Sequence, residues 1–331
     1  MIKYDSIIGP FAHNGSSSTR IMYLVILTLL PACVFAGFQF GRNSLALIVV
    51  CCLTSIMSEC LCLLAMKKKP SACFDGSAIL TGLLLAMSLP PSFPISLAVL
   101  GSMFAIILGK QIYGGLGQNL FNPAMLARVM LLICFPVQMT QWAAPTPIDF
   151  SNNLVTVPDG WLSFDGVTAA TALSIERTLP VEFTQQFFGQ HSGSLGETSA
   201  FLILCGGGYL IWRRIIHWAI PVTFMLGLAL PALVSHLINA EAFLAPWIHL
   251  TSGAAMLGAF YIATDLVTSP TSIRGQLIYG LGCGLLVWLI RTFGSYPEGV
   301  AFAVLIMNAV SPLIDYYLRP NVFGTSRVTE K

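Results

Sequence analysis

Charged residues are scarce in this sequence. Of its 331 residues only 9% are Asp, Glu, Lys or Arg, whereas 56% are hydrophobic. Soluble domains carry about 25% charged residues, so this chain has too few charges to cover a water-exposed globular surface. The composition therefore predicts a polytopic membrane protein surrounded by lipid. The net charge of +2 is too small to indicate a nucleic-acid partner.

Patterns that mark several cofactor and metal sites are also absent. The sequence has no G-x-G-x-x-G stretch for a dinucleotide and no cysteine spacing typical of zinc or an iron–sulfur cluster. Eight of the nine cysteines lie in or beside apolar runs, as expected of small side chains that pack between helices. The N-terminus lacks the short apolar core and cleavage site of a signal peptide. We therefore expect the first apolar run to be retained as a helix.

Long hydrophobic runs recur along the chain. We predict ten membrane segments, five on each side of a polar stretch at 141–197. An apolar helix of about 20 residues crosses the hydrocarbon core of a bilayer. The predicted segments are 21–40, 44–66, 77–90, 94–109, 119–137, 198–212, 215–237, 245–264, 275–293 and 299–316.

The positions of the 16 Lys and Arg residues predict the orientation. If the N-terminus is cytoplasmic and every segment crosses, twelve of the 16 fall in cytoplasmic stretches. Cytoplasmic loops are enriched in Lys and Arg, so both termini are expected in the cytoplasm. The stretch at 141–197 then lies outside. It is acidic, with six Asp and Glu residues against a single base, Arg177.

These features divide the chain into five parts. They are a cytoplasmic N-terminal segment at 1–20, a first membrane unit at 21–137, an extracytoplasmic loop domain at 138–197, a second membrane unit at 198–316 and a cytoplasmic tail at 317–331.

Two units of five crossings each must have opposite orientations, so a duplication would produce inverted repeats. The stretch DGSAILTGLLLAMSLPPS (75–92) resembles TSGAAMLGAFYIATDLVTSPTS (251–272), and QIYGGLG (111–117) resembles LIYGLG (277–282). We therefore predict two inverted five-helix repeats.

Gly or Pro interrupts three stretches of the membrane segments, 75–92, 115–130 and 251–272. Interrupted helices in membrane proteins often direct their ends toward a ligand near the bilayer midplane. At Asn122-Pro123 one helix can end and another begin. The three stretches are therefore the candidate ligand sites within the membrane.

Two charged residues lie well inside predicted segments, Glu59 in the second and Arg128 in the fifth. A charge at the bilayer centre costs about 2.5–3.5 kcal/mol on insertion scales, so each needs a partner or water. For Glu59 the sequence leaves three interpretations open: a structural polar contact, a cation- or proton-binding role, and a contact with another subunit.

The acidic loop contains the polar stretch FDGVTAATALS at 164–174. Asp165-Gly166 predicts a turn, and Thr168 can cap a short helix that begins at Ala169. A helix N-terminus also binds anions, and a phosphate held there can esterify the hydroxyl of Thr171. The residues alone leave both interpretations open, a capped turn and a phosphate site.

The run from Asp165 to Thr171 resembles the flavin-attachment motif D-x-x-[S/T]-x-A-T. Subunits of the sodium-pumping NADH:quinone reductase and of the related Rnf complexes carry this motif. The chain is similar to the D subunits of Rnf complexes over nearly its full length, without the N-terminal extension of the B subunits of the sodium pump. The resemblance implies that Thr171 bears FMN through a phosphoester bond. It also implies that a flavin transferase recognises Asp165 and Thr168.

The same resemblance implies a bacterial inner-membrane protein with a fold similar to urea transporters and an FMN loop in the periplasm. Its complex would link ferredoxin and NAD(H) redox chemistry to Na⁺ or H⁺ translocation, together with other membrane, flavin and iron–sulfur subunits. Relatives also carry non-covalent riboflavin. The alternatives are a solute channel or transporter, which the repeat architecture alone would support, and a scaffold subunit whose Thr171 is unmodified.

Overall fold

The fold is known from a computed structural model that describes residues 17–68, 73–142, 183–189, 192–197, 199–240, 242–294 and 298–319. Throughout these ranges the regular elements are helices and no β-strand occurs. The prediction of an all-α chain is confirmed for this part. Five helices are long and apolar enough to cross a membrane: Ser18–Phe40, Arg42–Ala65, Ala219–Ile238, Ile273–Phe293 and Val300–Tyr317.

Seven helices precede residue 190 in the described part of the chain. They are α1 (Ser18–Phe40), α2 (Arg42–Ala65), α3 (Ser77–Met87), α4 (Ile95–Ile106), α5 (Pro123–Cys134), α6 (Pro136–Met139) and α7 (Phe183–Phe188). A π-helical turn, Ile107–Gln111, continues α4.

Six helices follow, after a 3₁₀ turn at Leu195–Glu197. They are α8 (Ala200–Trp212), α9 (Ala219–Ile238), α10 (Pro246–Thr251), α11 (Ala255–Leu257), α12 (Ile273–Phe293) and α13 (Val300–Tyr317). A second π-helical turn, Gly258–Ile262, continues α11.

Polar side chains set the starts of several helices. Asn122 caps α5, because its Oδ1 accepts hydrogen bonds from the backbone N–H groups of Ala124 at 3.1 Å and Met125 at 3.3 Å. Pro123 follows at the first helical position, where its missing N–H costs nothing. Ser272 caps α12 in the same way, accepting from Gly275 N at 3.1 Å. The predicted helix start at Asn122-Pro123 is confirmed.

Each of the ten predicted segments overlaps either a single helix or a series of consecutive short helices. The third, fourth, fifth and sixth contain apolar helical stretches of 10–17 residues. The eighth, 245–264, is broken at Ser252 between α10 and α11. The number of membrane crossings and the inverted repeats stay predictions.

The two IYG stretches differ in local structure, so they are not equivalent positions. Ile112-Tyr113-Gly114 lies in turns after the first π-helical turn, and Gly114 has a φ of 117°. Ile278-Tyr279-Gly280 lies inside α12. A glycine permits both environments, so the shared residues do not imply the same local structure in the two units.

Helices α9 and α12 pack against one another through glycines. A Cβ atom added to Gly227 of α9 would lie 2.6 Å from Leu281 O, and one added to Gly280 of α12 would lie 2.7 Å from Ile220 O. A Cβ on Gly284 would lie 2.8 Å from Leu228 N and would also contact Phe224 O. Small residues allow helix backbones to approach closely where no hydrophobic effect drives association. This contact therefore holds the second unit together.

Gly284→Ala should destabilise the protein by about 1–3 kcal/mol, because its new methyl group meets backbone atoms that cannot move aside. Gly208→Ala is the matched control, since nothing lies within 4 Å of that Cβ position, and its better helix propensity should stabilise the helix. Unfolding of both variants in detergent checks this expectation. Equal stability of the two would contradict the packing described here.

Candidate functional site

One cavity brings together the three interrupted stretches. Its walls include Ser77 and Leu84 of α3, Asn119 and Asn122 before α5, and Phe260, Tyr261 and Asp265 of the third stretch. Its volume is about 80 Å³, which is space for several water molecules, because one needs about 10–15 Å³. The three stretches that the sequence offers as candidate ligand sites therefore line one cavity, and its ligand stays a prediction.

Both π-helical turns border the cavity. Lys110 of the first turn and Phe260 and Tyr261 of the second contribute to its walls. π-Helical turns are rare and occur frequently at functional sites. Their position beside the cavity makes it the candidate functional site.

The cavity walls combine apolar surface with a few polar groups. Asn122 Nδ2 donates to Ile262 O at 3.4 Å, which ties α5 to the second π-helical turn. Asn119 Nδ2 donates to Phe121 O at 3.1 Å, while its Oδ1 has no hydrogen-bond partner within the described residues. Asp265 accepts from Val267 N and from the Thr268 hydroxyl, both at 3.2 Å. This mixture is typical of sites for small organic ligands.

A buried ion pair joins the cavity to α2. Lys110 Nζ lies 2.5 Å from Glu59 Oε1 and 2.5 Å from Ser77 Oγ. Gln111 Nε2 donates to the same Glu59 oxygen at 2.8 Å. Glu59 and Lys110 are 3% and 2% exposed, so each supplies the partner that the other requires in a low-dielectric environment.

Lys110 is a site residue that the sequence did not reveal, because it directly follows the predicted segment 94–109 and so counts among the twelve basic residues of cytoplasmic stretches. The structure instead buries this side chain inside the bundle. The available signal was its position directly after an apolar run, beside the neutral Gln111. The structure shows one of the three interpretations of Glu59, a structural polar contact, which it makes with Lys110 and Gln111. This contact does not exclude a cation-binding role.

Two arginine side chains donate hydrogen bonds to carbonyl groups at the C-terminal ends of α3 and α10. Arg128 Nη1 donates to Ser88 O at the C-terminus of α3, and its Nη2 forms an ion pair with Glu298. Arg291 donates to His249 O at 2.6 Å and to Ser252 O at 2.9 Å, at the C-terminus of α10. The last carbonyl groups of a helix lack intrahelical partners and carry partial negative charge. Each arginine therefore stabilises a helix end that would otherwise be costly inside the bundle.

The end of the acidic loop is inserted beside these arginines. Leu195 N donates to Leu89 O at 3.2 Å, and the Ser194 hydroxyl donates to Glu197 Oε1 at 2.8 Å. Leu195 is fully buried and Glu197 is 6% exposed. The Glu197 carboxylate interacts electrostatically with both Arg128 and Arg291. The loop is thereby attached to the membrane units at its C-terminal end.

Aromatic side chains of α7 pack on the second membrane unit. The rings of Phe183 and Phe187 stack with centroids 5.5 Å apart, and Phe183 meets Trp247 edge-on at 5.7 Å. Phe187 and Phe188 also contact Phe201 of α8. These contacts attach α7 to the second membrane unit.

The predicted flavin-attachment residues Asp165, Thr168 and Thr171 lie outside the described residues. Their roles therefore stay predictions, as does the extent of the loop domain at 138–197. All nine cysteines are free thiols. Across the described ranges, no group of three or more His, Cys, Asp or Glu side chains is arranged to hold a metal ion.

Comparison with known proteins shows the family. Residues 6–324 match the model of the NQR2, RnfD, RnfE family. The chain belongs to this family. The resemblance read from the sequence is therefore confirmed, and it extends over nearly the whole chain.

Individual relatives are similar over the same length. The chain is 46% identical to the D subunit of the ion-translocating oxidoreductase complex of Yersinia enterocolitica, over 96% of this chain and 97% of that protein. It is 44% identical to the protein of the same name from Escherichia coli K12, over 95% of this chain and 97% of that protein.

Arg128→Leu should be strongly destabilising, by about 3–5 kcal/mol, because it leaves the Glu298 carboxylate buried without its partner. Adding Glu298→Gln should recover part of this loss by removing the unpaired charge. Arg213 is exposed, so Arg213→Leu is the control, and its stability should stay near that of the wild type. Unfolding in mixed detergent micelles measures all four proteins. Equal losses of stability in the single and double variants would show that Arg128 does not stabilise the protein through its ion pair with Glu298.

Proposed function

We propose that this chain is the D-type membrane subunit of an ion-translocating oxidoreductase complex and carries electrons through FMN attached to Thr171. The observation that carries the proposal is the combination of a near full-length match to such subunits with the motif D-x-x-T-x-A-T in the acidic loop. The complex would couple ferredoxin and NAD(H) redox chemistry to Na⁺ or H⁺ translocation. The dinucleotide and iron–sulfur sites would belong to its other subunits.

The proposed attachment explains how a flavin site persists outside the cytoplasm. A covalent tether keeps the cofactor at high effective concentration without a soluble pool. When bound, FMN supplies the one- and two-electron chemistry, since a phosphoester leaves its ring unmodified. Asp165 and Thr168 would position the loop in the flavin transferase, and the buried Glu197 would hold the loaded loop against Arg128 and Arg291.

The proposed topology has ten crossings in two inverted repeats, with both termini in the cytoplasm of a bacterium and the loop in its periplasm. The charge pattern supports it, because Lys67, Lys68, Arg213 and Arg214 all lie in connections that would face inward. The cavity would then open near the cytoplasmic side. The acidic loop would be attached at the opposite side, through Leu195.

The cavity is the proposed site of the non-covalent riboflavin that the resemblance implies. Its volume of about 80 Å³ is smaller than a flavin ring needs, so the side chains that line it would have to move apart on binding. Its aromatic and aliphatic walls would contact a flavin ring, and the free Oδ1 of Asn119 would accept a hydrogen bond from it. We propose that Asn119, Asn122 and Phe260 bind and orient this second flavin.

Thr171→Ala should abolish covalent flavin, because it removes the only oxygen of that side chain that can form the ester. The chain is produced with its flavin transferase, denatured in SDS and imaged under ultraviolet light. Thr178→Ala, a change of the same type seven residues further along the loop, should keep the fluorescent band. A dark wild-type band, with a transferase that is active on another substrate, would favour the solute channel or scaffold instead.

Leu84→Trp should remove non-covalent flavin and leave the covalent band unchanged, because the larger ring fills the cavity. The lipid-exposed Leu27→Trp is the control, since Leu27 is 60% exposed. Acid extraction of the purified complex followed by chromatography measures the released flavin. Undiminished riboflavin in Leu84→Trp would place its site elsewhere.

A further inference from the structure

Asn122, a wall residue of the cavity, is held by groups from both membrane units. Its Oδ1 caps α5, and its Nδ2 donates to Ile262 O at 3.4 Å in the second π-helical turn. Its backbone N–H lies 3.0 Å from the side-chain amide of Asn308, in the middle of α13. Asn122 is 3% exposed and Asn308 is 1% exposed. Asn122 is therefore fixed by an amide that bulk water does not reach.

The surrounding donors and acceptors decide which end of the Asn308 amide is the oxygen. The end that faces the Asn122 N–H must be the acceptor, Oδ1. The nitrogen then donates to the Tyr279 hydroxyl at 2.6 Å and to Val304 O at 3.3 Å. In the opposite orientation the Asn122 N–H would face an NH₂ group, and two donors would meet without an acceptor. We call Asn122, Asn308, Tyr279 and Val304 the buried amide network.

Tyr279 completes the buried amide network on α12. Because its hydroxyl accepts from Asn308, its own proton can be donated elsewhere, and the hydroxyl also forms a hydrogen bond with the Cys283 thiol. Tyr279 and Cys283 are both 0% exposed. The polar side-chain groups of Asn308 and Tyr279 are thus paired, as buried polar groups require. A fully paired buried network fixes the orientation of its members.

Stability alone accounts poorly for an amide at position 308. Hydrogen bonds between membrane helices contribute little to stability on average, and an apolar side chain of the same shape would need no partner. Neither Asn308 nor Tyr279 belongs to the described walls of the cavity. The network instead fixes Asn122, which does belong to them. The Asn122 amide nitrogen has two N–H groups, of which Ile262 O takes one.

We propose that Asn308 and Tyr279 are positioning residues, which hold Asn122 and the first turn of α5 in the orientation that a ligand of the cavity meets. Neither residue would touch this ligand. A polar group that is already ordered binds a ligand better than one that must be ordered on binding. The inference rests on the proposed function, because Asn122 is one of the side chains that would orient the second flavin.

The first test is the Kd for riboflavin, measured by equilibrium dialysis of the purified complex against labelled riboflavin. Asn308→Leu keeps the branching of the side chain but leaves the Asn122 N–H without its acceptor. The Kd should therefore rise about tenfold, which is the effect of one lost hydrogen bond to a buried group. Asn308→Asp keeps an acceptor for this N–H, so its Kd should stay within about threefold of the wild-type value.

Gln186→Leu is the matched control for Asn308→Leu. Gln186 is a buried amide at 1% exposure, and it forms two side-chain hydrogen bonds at 2.8 Å, with Thr251 and Ser252. It lies outside the described walls of the cavity. Its replacement removes as many buried side-chain contacts as a purely structural role of Asn308 would involve, but it should leave the Kd for riboflavin unchanged.

The second test does not depend on any flavin. Hydrogen exchange followed by mass spectrometry reports local opening of backbone N–H groups. In Asn308→Leu the peptide that covers 119–126 should exchange about tenfold faster, because the Asn122 N–H and the start of α5 lose their support. Gln186→Leu should leave that peptide unchanged. If Asn308→Leu cannot be purified, the double variant with Tyr279→Phe takes its place with the same expected results, since it also removes the unpaired hydroxyl.

Two results would overturn the proposal. One is unchanged hydrogen exchange of 119–126 in Asn308→Leu, and the other is a riboflavin Kd for Asn308→Leu no higher than that for Gln186→Leu. A wild-type complex without affinity for riboflavin would instead reject the flavin that the proposed function assigns to the cavity. The exchange of 119–126 would then still decide whether Asn308 positions Asn122.

Discussion

Interrupted helices inside an apolar bundle depend on buried polar partners. Each interruption exposes carbonyl groups that water would satisfy in a soluble protein. Here Arg128 donates a hydrogen bond to a carbonyl group at the end of α3, and Arg291 donates to two carbonyl groups at the end of α10. Among the described residues, Arg128 pairs with Glu298, and the nearly buried Glu197 interacts electrostatically with both arginines. Because these partners come from both membrane units and from the loop, one set of charges joins all three.

The two sets of buried charges lie at opposite ends of α3. At its start, Ser77 accepts a hydrogen bond from Lys110, which is paired with Glu59, and Asp75 accepts from Ser77. At its end, Ser88 O accepts a hydrogen bond from the Arg128 guanidinium group. The cavity lies beside the first set, and the acidic loop is attached beside the second. The short helix α3 therefore lies between the cavity, where the second flavin is proposed to bind, and the end of the loop that is proposed to carry FMN.

The sequence predicts the elements of this structure better than their contacts. Apolar runs bounded by Gly, Pro and capping residues locate the helices, and the Asn122 cap follows from local chemistry alone. Contacts between distant residues leave no such pattern. Glu59 and Lys110 are separated by 51 positions, and Arg128 pairs with a glutamate of the other unit. Counting charges places Lys110 on the cytoplasmic side, but it does not show that this lysine is buried and paired with Glu59.

The proposed topology places the acidic loop and the cavity on opposite sides of the membrane. Labelling of intact cells with a membrane-impermeant maleimide tests this directly, because the stretch 141–197 has no native cysteine. We predict that Ser151→Cys reacts in intact cells above the wild-type background, whereas Lys68→Cys reacts only after permeabilisation. Labelling of Lys68→Cys in intact cells, with Ser151→Cys protected, would contradict the account.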